Sequence, residues 1–128
     1  MSVSPLDFHH AAQGMCGEGS EIGYRNASSR VYYAAYHLGL SVVDALPSAP
    51  VKNDVGVHEE LIQRLTKIPN SFVHVMVARS AGHLLAQMRK SRVKADYKIT
   101  DGFSDQEAEL QLELFSKYSQ KIEILAKP

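Results

Sequence analysis

A chain of 128 residues, 45% hydrophobic and 22% charged, has the make-up of a single globular domain. Lys plus Arg total 14 and Asp plus Glu total 14, which excludes the strongly cationic nucleic-acid binders that work by net charge. No run of about 18 apolar residues crosses a bilayer, and the lone Cys16 leaves neither a disulfide framework nor a paired cysteine spacing for zinc.

Met1 to Asp7 lacks the basic and then apolar regions of a signal peptide, so a cytoplasmic, membrane-free chain is expected. Ser4-Pro5 reads as an N-cap followed by proline at the first helical position, opening a short helix that carries Leu6, Phe8, Ala11 and Ala12. Gly14, Gly17 and Gly19 break it. A long helix is predicted from Ser20 to about Leu46, with Ile22, Tyr32, Tyr36, Leu40 and Val43 on its apolar face. Ala27, Ala34, Ala35 and Gly39 beside them let a neighbouring helix come close. At least two of Tyr32, Tyr33 and Tyr36 are expected in the core, and one of Arg25 and Arg30 is expected to reach a carboxylate across the bundle.

Pro47 to Pro50 ends that helix, and Val51 to Gly56 reads as a loop with turn-forming Asn53 and Asp54. A shorter helix follows from about Val57 to Lys67, with Val57, Leu61 and Leu65 on one face. A third long helix is predicted from about Ser71 to Ala95, its apolar positions Val73, Val77, Leu84, Leu85 and Met88. Val73 and Val75 alternate briefly as a strand would, but the later periodicity favours helix. The last helix opens on Ser104-Asp105-Gln106-Glu107, a capping box, and places Ala108, Leu112, Phe115, Ile122 and Leu125 inward. The expected fold is all-α: one domain over residues 1–128, an antiparallel up-and-down four-helix bundle with an additional short N-terminal helix.

Charge is unevenly spread. Arg79, Arg89, Lys90, Arg92, Lys94 and Lys98 face only Asp96 within their stretch, whereas Asp105, Glu107, Glu109 and Glu113 follow. The two stretches either pair with each other or leave a phosphate-facing patch. Arg79 and His83 lie on one helical face, a pair able to hold a phosphate and move a proton, or else an ordinary ion-paired surface. In Arg92-Val93-Lys94-Ala95-Asp96-Tyr97, Asp96 is placed to orient Arg92 or Lys94, and the Tyr97 hydroxyl to bond a phosphate or accept a group. The alternative is a helix C-terminus whose cations meet the dipole and whose tyrosine plugs the bundle end. His58-Glu59-Glu60 does not converge on one ion, because adjacent helical residues diverge. His58 is read as a cap or a packed group, and no metal or cofactor is expected.

Three blocks together resemble the HEPN superfamily of small helical domains in prokaryotic defence and toxin–antitoxin systems. They are Ser29-Arg30-Val31-Tyr32-Tyr33-Ala34-Ala35-Tyr36-His37, His58-Glu59-Glu60-Leu61-Ile62 and Arg92-Val93-Lys94-Ala95-Asp96-Tyr97. They occur in the family's order over about residues 20 to 100. The resemblance implies a bundle that forms a homodimer and cleaves RNA without metal, using an arginine, four to six intervening residues and a histidine. Here three residues separate Arg79 from His83, and Tyr97 stands where a histidine would follow Arg92. The candidate reactive residues are thus Arg92, Tyr97, Arg79 and His83, with Arg89, Lys94 and Arg30 for phosphate and Asp96 for orientation. The resemblance further implies a nucleotidyltransferase-type antitoxin partner, with Tyr97 the position most like its AMP acceptor. The competing expectation is a non-catalytic nucleotide- or partner-binding module.

Overall fold

The computed structural model describes residues 4–47 and 55–127, and all its regular structure is helical: α1 (Pro5–Gly17), α2 (Glu21–Val43), α3 (Val57–Thr66), α4 (Val75–Tyr97) and α5 (Asp105–Ala126). The segment before Ser4 and the loop with Asn53 and Asp54 lie outside the described residues. No helix among the described residues is long and apolar enough to cross a membrane.

Local chemistry starts three of these helices. The Ser4 hydroxyl accepts from the Asp7 amide at 3.3 Å, and the Asp7 carboxylate accepts from the Ser4 amide at 2.7 Å, with Pro5 at the first turn as expected. Ser104 and Glu107 make the same exchange for α5, at 3.2 and 2.8 Å. Ser20 caps α2 through the Gly23 amide at 3.1 Å. Between α1 and α2 the chain turns through Gly19, whose φ of 73° is left-handed. Gly23 then passes so near the end of α1 that a Cβ there would sit 2.5 Å from the Met15 carbonyl oxygen.

Several boundaries differ from the expectation: α1 runs through Gly14 to Gly17, and α4 continues past Ala95 to Tyr97. α2 ends at Val43, not Leu46, because the Ala45 and Leu46 amides close tight turns onto Val42 and Val43. α4 begins at Val75, not Ser71, because Phe72 and Val75 bond back to Pro69 and Phe72 in turn geometry. Neither Val73 nor Val75 is in a strand; Val73 sits in that turn, 82% exposed. At 13 residues, α1 is also longer than α3 at 10.

Helix α2 is central and packs against the other four; α4 packs on α3 and α5, and α1 also touches α5. Ala27, Ala34, Ala35 and Gly39 are all buried, as the small-residue pattern requires. At Gly39 an added Cβ would meet the Tyr118 hydroxyl at 2.5 Å and Leu61 at 2.9 Å, and at Gly82 it would meet Thr66 at 2.5 Å. These two glycines set the α2–α3–α5 and α3–α4 approaches. The Tyr118 hydroxyl, fully buried, donates to the Ala35 carbonyl at 2.8 Å, so the core keeps no unpaired phenol there.

The main core joins Tyr32, Phe115, Tyr118, Leu61, Leu65, Ile68, Leu85 and Met88. Ile22, Leu40, Val57, Val73 and Leu6, read as inward, are exposed instead. They lie at the edges of helical stripes, where periodicity alone sets the facing direction poorly. Of the three tyrosines, only Tyr32 is fully buried, while Tyr33 and Tyr36 are half-buried.

Arg25, 5% exposed, binds a helix end rather than a carboxylate across the bundle. Its Nη1 donates to the carbonyls of Lys94, Ala95 and Lys98 at 3.2, 3.0 and 3.3 Å, and its Nη2 to those of Lys98 and Asp101. Its Nε reaches Glu21 on its own helix at 3.3 Å. Glu21 in turn accepts from the Phe103 amide at 3.2 Å, and the guanidinium lies 5.6 Å from the centre of the Phe103 ring. One side chain thereby satisfies the orphan carbonyls of α4 and complements its dipole. Arg25→Met takes the guanidinium from the Ala95 and Asp101 carbonyls, while those of Lys94 and Lys98 keep the Lys98 and Asp101 amides, and is expected to lower unfolding free energy by about 3 kcal/mol in urea denaturation. Gly39→Ala is expected to cost about 1–3 kcal/mol by overpacking.

Candidate functional site

The cap on α4 fixes the last turns of that helix, where Arg92 and Asp96 stand one turn apart. Arg92 Nε lies 2.9 Å from Asp96 Oδ2, which also accepts from Ser29 Oγ at 3.2 Å. Arg92 Nη2 donates to the Tyr33 hydroxyl at 2.6 Å. The guanidinium carbon sits 5.2 Å from the Tyr33 ring centre and 5.4 Å from that of Tyr97, within cation–π range. Its Nη1 has no protein acceptor among the described residues. Asp96 therefore orients Arg92, as the spacing suggested, and leaves the outer edge of a preset guanidinium facing away from its carboxylate.

His58, in the first turn of α3, joins this group from the other side of α2. Its Nδ1 is 2.7 Å from the Tyr32 hydroxyl, and its ring lies 4.6 Å from Tyr36 and 6.3 Å from Tyr33. Burial, then the charges of Arg89 and Arg92, hold the His58 pKa below 6.5, so the ring is neutral near pH 7. Burial pushes Tyr32 up to about 12, so its hydroxyl keeps its proton and fixes the imidazole. Arg89 pairs with Glu59 of α3 at 3.2 Å, both half-exposed. The result is a neutral imidazole and a preset cation flanking one tyrosine, Tyr33.

Other predicted site residues go elsewhere. Arg79 donates to the Ile68 carbonyl at 2.9 Å and to Asn70 at 2.6 Å, bracing the α3–α4 connection. His83 is exposed beside it, on a hollow of about 440 Å³ with Met76, Arg79 and Gln87. Thirteen positions apart along α4, Arg79 and Arg92 are about 20 Å from each other on the axis, so the structure does not join them in one site. Lys94 turns the opposite way from Arg92 and pairs with Glu107 of α5, which realises the pairing of the basic and acidic stretches within the fold. Arg30 is exposed on α2 beside Phe8 of α1. Tyr97 does not plug the bundle end: it is 67% exposed.

Sequence reasoning set His58 and Tyr33 aside as packing residues. The available signal is that both fall inside blocks on which the family resemblance rests; their meeting depends on how α3 docks on α2, which spacing does not reveal. Among the described residues no three His, Cys, Asp or Glu side chains converge on a metal position. No protein-family model, curated protein or solved structure matches the chain.

The folded pKa of His58 lies below its unfolded value, so unfolding takes up a proton below about pH 6.5. This group accordingly lowers stability as pH falls from 6.5 through its folded pKa and is without effect above. An NMR titration is expected to place His58 below 6.5, and Arg89→Gln is expected to raise it by removing a facing cation; an unshifted ring in the wild type contradicts the geometry.

Proposed function

We propose that this chain is a HEPN-type domain, an antiparallel four-helix bundle with an added N-terminal helix, that acts on RNA as a cytoplasmic homodimer. The observation that supports this reading is the convergence of three blocks, spread from Ser29 to Tyr97, on one cluster around Arg92. A bundle needing only stability has no use for a cation, a neutral imidazole and two ordered phenols at one half-exposed place.

In this reading Arg92 holds the scissile phosphate through its outward edge. The 2′-oxygen attacks phosphorus as His58 Nε2 takes its proton, and the P–O5′ bond breaks with the leaving 5′-oxygen taking that proton back; Nε2 is free to accept in the neutral tautomer whose Nδ1–H donates to the Tyr32 oxygen. His58 takes that task in place of Tyr97 and of His83, which lies on a separate hollow with Arg79. Arg89, paired with Glu59 beside His58, adds positive charge at the rim. Tyr97, exposed and beside Arg92, offers the hydroxyl that a nucleotidyltransferase-type antitoxin would join to AMP, releasing pyrophosphate from ATP and silencing the site. Exposed Val73 and Met76, at the start of α4, supply apolar surface for a second copy.

A non-catalytic RNA- or partner-binding module is the second reading, favoured by the engagement of Arg92 with Asp96 and Tyr33. Cleavage of a mixed single-stranded RNA pool in EDTA separates the two. The first reading predicts cleavage that falls about 100-fold or more in Arg92→Ala and in His58→Ala, both folded. Retained binding with no wild-type cleavage selects the second, and neither binding nor cleavage removes both.

A further inference from the structure

Rings from four helices run in unbroken contact across one face of the molecule. Phe8 of α1 stacks on His37 of α2 at 5.7 Å and 19° between planes. His37 meets Tyr36 at 5.5 Å, Tyr36 meets His58 of α3 at 4.6 Å, and His58 meets Tyr33 at 6.3 Å. Tyr33 then covers Arg92 of α4, which covers Tyr97. His37 and Tyr97 are exposed and the rings between them half-exposed. Phe8 and Tyr36 also pack against the main core, whose fully buried rings are Tyr32, Phe115 and Tyr118, whereas His37 and Tyr97 are not part of it.

We propose that this track is a stacking site for the unpaired bases that flank a phosphate held at Arg92. The proposal rests on the reading of Arg92 as an RNA phosphate site and names what lies beside it. Every base offers a π-face, so a row of rings binds single strands with little sequence preference, whereas a duplex keeps its base faces covered. The far end of the track suits the same occupant. Beside Phe8, a hollow of about 280 Å³ between α1 and α2 is walled by Ala11 and Met15, with the exposed Asp7 and Arg30 also on its lining. An apolar slot next to a ring and a guanidinium accepts one base and the following phosphate. Arg30 thus stands near the Phe8 end of the track and Arg92 between Tyr33 and Tyr97, so cations alternate with rings along it.

Net neutrality fits this division of labour. Affinity would come from ring faces more than from charge, so binding should be less salt-sensitive than that of a basic groove. The rings also sit on helices rather than loops, which keeps them in place before the strand arrives.

Fluorescence anisotropy with a labelled oligoribonucleotide of about 12 residues, 2′-O-methylated to resist cleavage, tests the idea. The same length is compared as an abasic ribose-phosphate strand and as a duplex, on wild type, His37→Ala and Arg92→Ala. The track predicts that the base-bearing single strand binds at least tenfold more tightly than the abasic strand or the duplex. His37→Ala, at an exposed position, should cut that advantage about tenfold while leaving abasic binding unchanged. Equal affinity for base-bearing and abasic strands, still lost in Arg92→Ala, overturns the track and leaves the phosphate site standing. No binding to any strand overturns the phosphate site, and the track with it.

Discussion

The fold turns on Arg25 closing the C-terminal end of α4. A helix end that abuts another helix must find donors for its last carbonyls, and here a single buried guanidinium supplies them for three residues of α4 and its cap as well as for the loop beyond. Because a charge is desolvated in the process, the arrangement holds only while every donor is used. Glu21, bonded to both Arg25 and the Phe103 amide, closes the circuit and sets where the chain turns toward α5. The start of α2, the end of α4 and the entry to α5 are in this way one unit, with Ala95, Phe103 and Ala108 forming a small apolar cluster beneath it.

That unit positions the candidate site. Asp96 and Tyr97 belong to the same last turn whose carbonyls Arg25 holds, and Ser29 and Tyr33 lie one and two turns beyond Arg25 on α2. The Arg92–Asp96–Ser29 and Arg92–Tyr33 bonds therefore join two surfaces already fixed a few ångströms away. Arg92 gains a set orientation without depending on its own long, flexible stem, which lowers the entropy lost when a phosphate is captured. His58 reaches the cluster by a separate route, through α3 packed on Tyr32 and Tyr36. Its position relies on the close α2–α3 approach that Gly39 permits.

The helices were largely legible, because their signals are local. Ser4, Ser20 and Ser104 announce helix starts by hydrogen bonds within three residues, and glycines mark the break between α1 and α2. The end of α2 and the start of α4 are less so, since Leu46 on one side and Phe72 and Val73 on the other continue an apolar pattern where the backbone is in turns. Arg25 was noticed as unusual on an apolar helix, but its acceptors are backbone carbonyls some seventy residues away, and no side-chain pattern encodes them. For the site, Arg92, Asp96 and Tyr97 were legible because one helical turn joins them. Arg79 with His83 fitted the same local logic, yet Arg79 is consumed by Ile68 and Asn70. His58 was legible only as part of a resemblance, for its value comes from the tyrosines of another helix.

The central claim is that the face containing Arg92, Tyr33 and His58 receives an RNA phosphate. Its most direct test is an NMR titration of the labelled protein with a short single-stranded oligoribonucleotide, following arginine Nε–H and histidine ring signals residue by residue. The proposed site predicts saturable shifts at Arg92 and His58, with Arg79 and His83 unmoved on their separate hollow. Saturable shifts confined to Arg79 and His83, or the absence of any, would contradict it.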